Sequence, residues 1–181
     1  MQRKWATILL SSFIFLNGCQ VMPHAKGLQS PLWQAQTYQR QDQVEVQWKQ
    51  QSFSFLLYQQ QKGAVLDMVA LSLTGQQLFK LQFDGHRVHV EQRIDQMRLL
   101  PFEFVVRDLL FATYPQFSHL GQQAVEMKQQ ADKQVVYIEK QPVLQVKQGQ
   151  GSIELINEQV PYTMTLSSIE NTLQTEESST P

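Results

Sequence analysis

Residues 79–90 read Phe79-Lys80-Leu81-Gln82-Phe83-Asp84-Gly85-His86-Arg87-Val88-His89-Val90. In an extended chain Phe79, Leu81 and Phe83 fall on one side, and Lys80 and Gln82 on the other. That period-two alternation belongs to a strand with one face on a core. Asp84-Gly85 marks a hairpin turn, because glycine takes a positive φ at no steric cost. Val88 and Val90 then resume the alternation. Strand, tight turn and second strand make the unit of an antiparallel sheet, and most of the chain repeats it.

Upstream, Val44, Val46 and Trp48 alternate with Glu45, Gln47 and Lys49, and Phe53, Phe55 and Leu57 share a face. The stretch from Val65 to Leu73 is apolar on both faces apart from Asp67 and Ser72, which predicts a central strand covered on both sides. Thr74-Gly75 ends it. Downstream, strands are expected at 124–128, 134–139, 143–147, 152–156 and 162–168. Turns are expected at Asp132-Lys133, Gln141-Pro142, Gly149-Gln150-Gly151 and Asn157-Glu158. Glutamine is the most frequent residue and is dispersed through these segments, so it reads as a neutral polar strand surface. One segment breaks the period. Phe102, Val105, Val106, Leu109, Leu110 and Thr113 recur at helical spacing between Pro101 and Pro115, with Phe104 and Phe111 as a second apolar edge. Proline suits a first helical turn and stops a helix from its interior. A helix apolar over so wide an arc must be covered on most of its circumference. The expectation is a mainly β domain of about eleven strands, curved or closed into a barrel, with one helix near 101–114 over the concave face, between the sixth and seventh strands.

The ends of the chain carry a different message. Arg3 and Lys4 precede an apolar run from Trp5 to Leu16, and Leu16-Asn17-Gly18-Cys19 follows. The run is too short for a membrane span of about 20 residues and has the shape of a secretory signal. A cysteine directly after the cut makes it resemble a bacterial lipoprotein signal. The expectation is a signal peptide at 1–18, lipidation at Cys19 and a tether over 19–31, marked by Pro23, Gly27, Ser30 and Pro31. The β domain follows at 32–169, with a disordered acidic tail at 170–181. Gln20 follows the cysteine where an aspartate would favour inner-membrane retention, so the expected location is the outer membrane, facing the periplasm. Cys19 is the single cysteine, which leaves none for an intramolecular disulfide. The covalent lipid is the only modification expected, with no cofactor.

The formal net charge of −1 and the lack of a basic stripe exclude a nucleic-acid footprint. There is no Gly-x-Ser-x-Gly elbow, phosphate loop or Cys-x-x-Cys. His86 and His89 stand an odd number of residues apart, which puts them on opposite faces of a strand, and His24 and His119 lie elsewhere. No metal site is expected. Asp67 is read as solvent-facing or bonded to a neighbour. Asp108 is read on the wet side of the helix, or paired with Arg107 or a strand residue. The chain is not expected to be an enzyme.

Residues 70–85, Ala70-Leu71-Ser72-Leu73-Thr74-Gly75-Gln76-Gln77-Leu78-Phe79-Lys80-Leu81-Gln82-Phe83-Asp84-Gly85, resemble the core motif of a bacterial lipoprotein family with a domain-of-unknown-function label. Genes of that family often lie beside those for aryl polyene or fatty-acid-like biosynthesis. Leu100-Pro101, Arg107-Asp108-Leu109 and Tyr114-Pro115 resemble its helix, and Tyr162-Thr163-Met164-Thr165-Leu166 its last strand. The family is similar in fold to the lipoprotein carrier and receptor LolA and LolB, half-open antiparallel barrels with an apolar cavity for acyl chains. The resemblance implies a cavity lined by Phe53, Phe55, Met68, Phe79, Leu81 and Phe83 from strands and lidded by Phe102, Val106 and Leu110. Read singly, each of these residues fits a packed core better than a cavity wall, and the cavity is what the resemblance implies. The loop that the receptor inserts into its membrane would fall at 59–63, without an apolar tip. Two functions follow from this reading. One is a lipid-anchored monomer that binds an acyl-like molecule during outer-membrane assembly or polyene lipid export and meets the lipoprotein processing and sorting machinery. The other is a non-catalytic docking lipoprotein for an envelope biosynthesis complex.

Overall fold

A computed structural model describes residues 24–169. The signal at 1–18, the lipidation site Cys19 and the tail at 170–181 lie outside them. Among the described residues ten strands form one antiparallel sheet. Five precede the helix: β1 (Gln36–Trp48), β2 (Gln51–Gly63), β3 (Val65–Leu71), β4 (Gln77–Phe83) and β5 (Val88–Arg93). Helix α1 (Phe102–Thr113) follows, and then β6 (Val125–Gln130), β7 (Lys133–Ile138), β8 (Gln141–Gln148), β9 (Ser152–Asn157) and β10 (Tyr162–Ser168). Their order across the sheet is β5-β4-β3-β2-β1-β10-β9-β8-β7-β6.

That order is a meander cut in its middle. The chain steps outward from β1 to the edge strand β5 and crosses through α1. It then steps back from the opposite edge β6 to β10, which pairs with β1 through Val44↔Leu166 and Val46↔Met164. The sheet stays open between β5 and β6, a half-open barrel with its helix. Five strands, not six, precede the helix, and ten, not eleven, make the sheet. The polar stretch 36–43 forms no element of its own and prolongs β1 to thirteen residues.

The alternation read from sequence gives the register. Leu66↔Phe83, Met68↔Leu81 and Ala70↔Phe79 stand opposite one another across β3 and β4, all buried on the concave face. Side chains directly opposite on one face are near enough to pack. One expectation fails here. The strand β3 is not covered on both sides: Val65, Asp67, Val69 and Leu71 on its convex face are only half-buried. An antiparallel sheet with helix on one side leaves its other face wet.

Helix α1 is buried nearly all round, as its apolar width requires. Nine of its twelve residues are buried, Arg107 and Asp108 among them. One side rests on the sheet. The other is covered by the segment leading into β1, expected as part of a tether. Ala25, Leu28 and Ser30 are fully buried there. Ala25 N–H donates to Glu103 Oε2 at 3.0 Å, Ser30 N–H to the Gly85 carbonyl at 2.8 Å, and Leu32 N–H to the Leu120 carbonyl at 3.0 Å. Gly27 meanwhile packs beside Ile138. The segment therefore straps the β4–β5 hairpin to the β7 side across the open edge. From Ala25 onward the chain is packed against the domain, because small and apolar residues at 25, 27 and 28 fit the gap that the open barrel leaves.

Candidate functional site

An apolar groove opens on the described surface. The chain leaves β5 through a short 3₁₀ turn (Asp95–Met97) and enters α1 at Pro101, so the start of the helix stands off from the edge strand. The gap between them is a groove of about 360 Å³, lined by Val88, Val90, Leu99, Leu100, Phe102 and Phe104. That volume lies at the small end of the range for ligand pockets, roughly 300–1,000 Å³. Leu99 at the lip is 69 % exposed and Val90 37 % exposed, so the apolar lining reaches the surface. Large exposed apolar side chains that converge on one groove mark a binding surface more than scattered ones do. Three ionisable groups border it: Arg93, and His24 with Glu103, which lie 2.8 Å apart. A second depression, of about 280 Å³, lies beyond the strap and is bordered by His24, Lys26, Gln123 and Glu139, among others.

The residues expected to line an interior cavity are brought together in one buried apolar cluster. Phe55, Met68, Phe79, Leu81, Phe83, Phe102, Val106 and Leu110 are all buried in one apolar cluster, with Phe53 half-buried at its margin. The Phe79 ring meets Phe55 edge-on at 5.7 Å and Phe102 at 5.1 Å, the T-shaped arrangement that aromatic rings prefer. Only Phe102 of this set also lines the groove. The groove itself was not legible in the sequence, because it arises from the distance between an edge strand and a helix start.

The main polar feature of the interior follows the second of the two readings of Asp108, paired with Arg107 and with strand residues. Asp108 does not face water. It is fully buried, and its carboxyl gathers three donors. Arg107 Nε donates to Oδ1 at 2.9 Å, while Asn157 Nδ2 and the Tyr162 hydroxyl donate to Oδ2. Arg107 Nη2 lies 2.8 Å from Oδ1 as well, though out of line for a hydrogen bond. Arg107 Nη1 donates to the Lys26 carbonyl at 3.1 Å and to Gln159 Oε1 at 2.7 Å. The network thus ties the helix to β9, β10 and the strap at once. Burial pushes the Asp108 carboxyl up from its ordinary value, against the pull of Arg107 and the two neutral donors. Burial and the charge on Asp108 raise the Tyr162 phenol well above its own. The available signal was an Arg-Asp pair inside an otherwise apolar helix, since buried charges persist when they are paired and hydrogen-bonded.

Glutamine also proves more varied than a polar strand surface. Gln59 and Gln61 are buried on the concave face of β2, so 59–63 belongs to a strand and is not a protruding loop. Gln61 Nε2 donates to the Gln34 and Gly63 carbonyls at 3.1 and 2.9 Å, and its Oε1 accepts from the Tyr114 hydroxyl. A large exposed apolar residue does stand at a turn elsewhere: Leu73, between β3 and β4, is 62 % exposed. Asp67 accepts from Gln82 Nε2 at 2.9 Å on the convex face. His86 lies in the β4–β5 turn, where its N–H donates to Asp84 Oδ1, and His89 is on β5. Among the described residues no three His, Cys, Asp or Glu side chains are placed to hold a metal ion.

A comparison with curated proteins found no match. Residues 39–170, which run from β1 to just beyond β10, match a family described as protein of unknown function (DUF3261), and the chain belongs to that family.

Proposed function

We propose that this protein is a lipid-anchored, periplasm-facing lipoprotein of the outer membrane that binds or receives an acyl-like molecule, by burial and without a catalytic step. The observation that carries this reading is the apolar groove between β5 and the start of α1, open to the surface at Leu99 and Val90. Each methylene moved there from water contributes about 0.8 kcal/mol, so an alkyl chain needs no covalent chemistry to stay. The small volume fits a single chain better than a two-chain lipid. The lipoprotein signal ending at Cys19 supports the anchor. Several acyl chains on one residue hold a membrane stably where one chain is marginal. The strap begins at Ala25, six residues after Cys19, so the groove, which His24 also borders, would work close to the membrane surface. The resemblance to lipoprotein carriers and receptors supports a role in outer-membrane assembly or polyene lipid export, with the sorting machinery as partner. Leu73 supplies the exposed apolar turn that such a receptor would press into its membrane.

The test is the mass of the intact complex. The full chain is purified from bacterial membranes in mild detergent and measured by native mass spectrometry, beside Val90→Trp, which fills the groove. Acyl-bearing adducts on the wild type that are lost in the variant support the reading. Their absence from the wild type sinks it and favours the second reading, a docking lipoprotein for an envelope biosynthesis complex. That reading draws on the packed interior around Phe55, Phe79 and Phe102.

A further inference from the structure

The pairing of β4 with β5 is irregular at one point. Phe83↔Val88 and Leu81↔Val90 are in simple register, and Val88 and Val90 share the concave face of Phe83 and Leu81. Between Lys80 and Leu81 the register shifts, so that Lys80 meets Gln92 and Phe79 meets Arg93. Glu91 is the extra residue. Without the bulge, strict alternation from Val88 and Val90 would place Gln92 on the concave face and Arg93 on the convex one. With it, Arg93 stands opposite the buried Phe79, on the groove side. Bulges re-aim side chains in this way beside binding sites. The residue re-aimed is the guanidinium that borders an otherwise apolar groove.

The other ionisable groups of the groove already have partners. His24 and Glu103 face each other at 2.8 Å, and Glu103 also accepts from the Ala25 N–H. Lys80 and Glu91, on the two strands of the bulge, pair with each other at 2.6 Å. Among the described residues Arg93 forms no ion pair, and its planar fork of donors fits a carboxylate with two parallel hydrogen bonds. We infer that Arg93 holds the head of a single-chain carboxylate amphiphile, a fatty-acid anion whose alkyl chain lies along Val88, Val90 and Phe102. This inference rests on the reading of the groove as an acyl site and adds to it the charge of the ligand. Esters and alcohols of the same chain length would bind through the chain alone.

The test uses the purified full chain and two photoreactive probes, dodecanoic acid with a diazirine near its chain end and the methyl ester of the same compound. Labelled peptides are mapped by mass spectrometry at neutral pH for wild type, Arg93→Gln and Arg93→Lys. The expected result is labelling of peptides from 88–104, with the acid favoured over the ester by about tenfold, the discrimination expected of one charge-assisted contact. Arg93→Gln levels the two probes while the ester still labels, and Arg93→Lys keeps part of the preference. Equal labelling of the wild type by acid and ester overturns the role of Arg93 and leaves the acyl groove standing. So does an acid preference that survives in Arg93→Gln. Failure of both probes to label the groove overturns the groove as an acyl site and this inference with it.

Discussion

The hydroxyl of Tyr162 on β10 donates to Asp108 Oδ2 on α1, joining residues fifty-four positions apart. This bond closes a buried set of Arg107, Asp108, Asn157 and Tyr162, whose remaining donors reach Gln159 and the carbonyl of Lys26. Helix, sheet and strap therefore depend on the same carboxyl.

Removing that carboxyl leaves the Arg107 guanidinium buried without its counter-charge. Asp108→Ala is expected to cost about 3–5 kcal/mol, the cost of breaking a buried pair from one side. The double variant Arg107→Met/Asp108→Leu should cost less than the single one, because no buried charge is stranded. Urea unfolding of wild type and both variants measures this, and a double variant worse than the single one would contradict it.

The alkaline side of the stability profile follows from the tyrosines. Burial raises Tyr162 well above the ordinary phenol value of 10.0, and burial also raises Tyr38 and Tyr114. Above pH 10.0 the unfolded chain releases these protons while the folded chain retains them. The unfolded state then binds fewer protons, so stability must fall as pH rises. Their contribution is complete below that pH and is lost on passing upward through the folded values. Tyr162→Phe should lower stability near neutrality by about 1.5–3 kcal/mol, for a lost bond to a charged acceptor. It should also flatten the decline above pH 10.0. Equilibrium unfolding at pH values on both sides of that point checks the sign.

Two glycines with similar backbones should respond differently to alanine. Gly75 has φ +85° with open space around its missing Cβ. Gly85 has φ +92°, and a Cβ there would meet Trp33 Cβ and Cγ at 2.5 Å. Trp33 cannot easily yield, since it stacks on Tyr114 and stands edge-on to Phe83, each at 4.9 Å. Gly75→Ala should cost the strain of a positive φ alone, about 1–2 kcal/mol. Gly85→Ala adds a clash and the displacement of the strap, and its melting temperature should be the lower of the two.

Leu73 and Cys19 test the membrane reading. Leu73→Asp changes an exposed turn residue, so stability should move by no more than about 0.5 kcal/mol. If the turn meets a bilayer, binding of the protein to liposomes should weaken all the same, and unaltered liposome binding would remove Leu73 from the proposal. Cys19→Ser should leave an uncleaved, unlipidated precursor. Fractionation of that variant together with wild type would show that the anchor lies elsewhere.

Strands and helix could be read from the chain because they are local. The alternation of Phe79, Leu81 and Phe83, the Asp84-Gly85 turn and the prolines around 102–113 each act over a few residues. So could the composition of the core: the nine aromatic and aliphatic residues picked for an apolar interior do lie in or at the edge of it. The rest came from tertiary structure. Whether those residues line a space or fill it depends on how closely α1 approaches the sheet, which no spacing encodes. Gln61 looks like a surface residue, because polarity alone does not reveal buried hydrogen-bond partners many positions away, here the Gln34 carbonyl and the Tyr114 hydroxyl. Residues 25–30 look like a tether until the open edge of the barrel provides a gap to fill. Arg93 turns toward the groove because one residue too many in β5 shifts its register against β4. Alternation is a property of one strand; the facing of a side chain, and with it the groove, is a property of the pair.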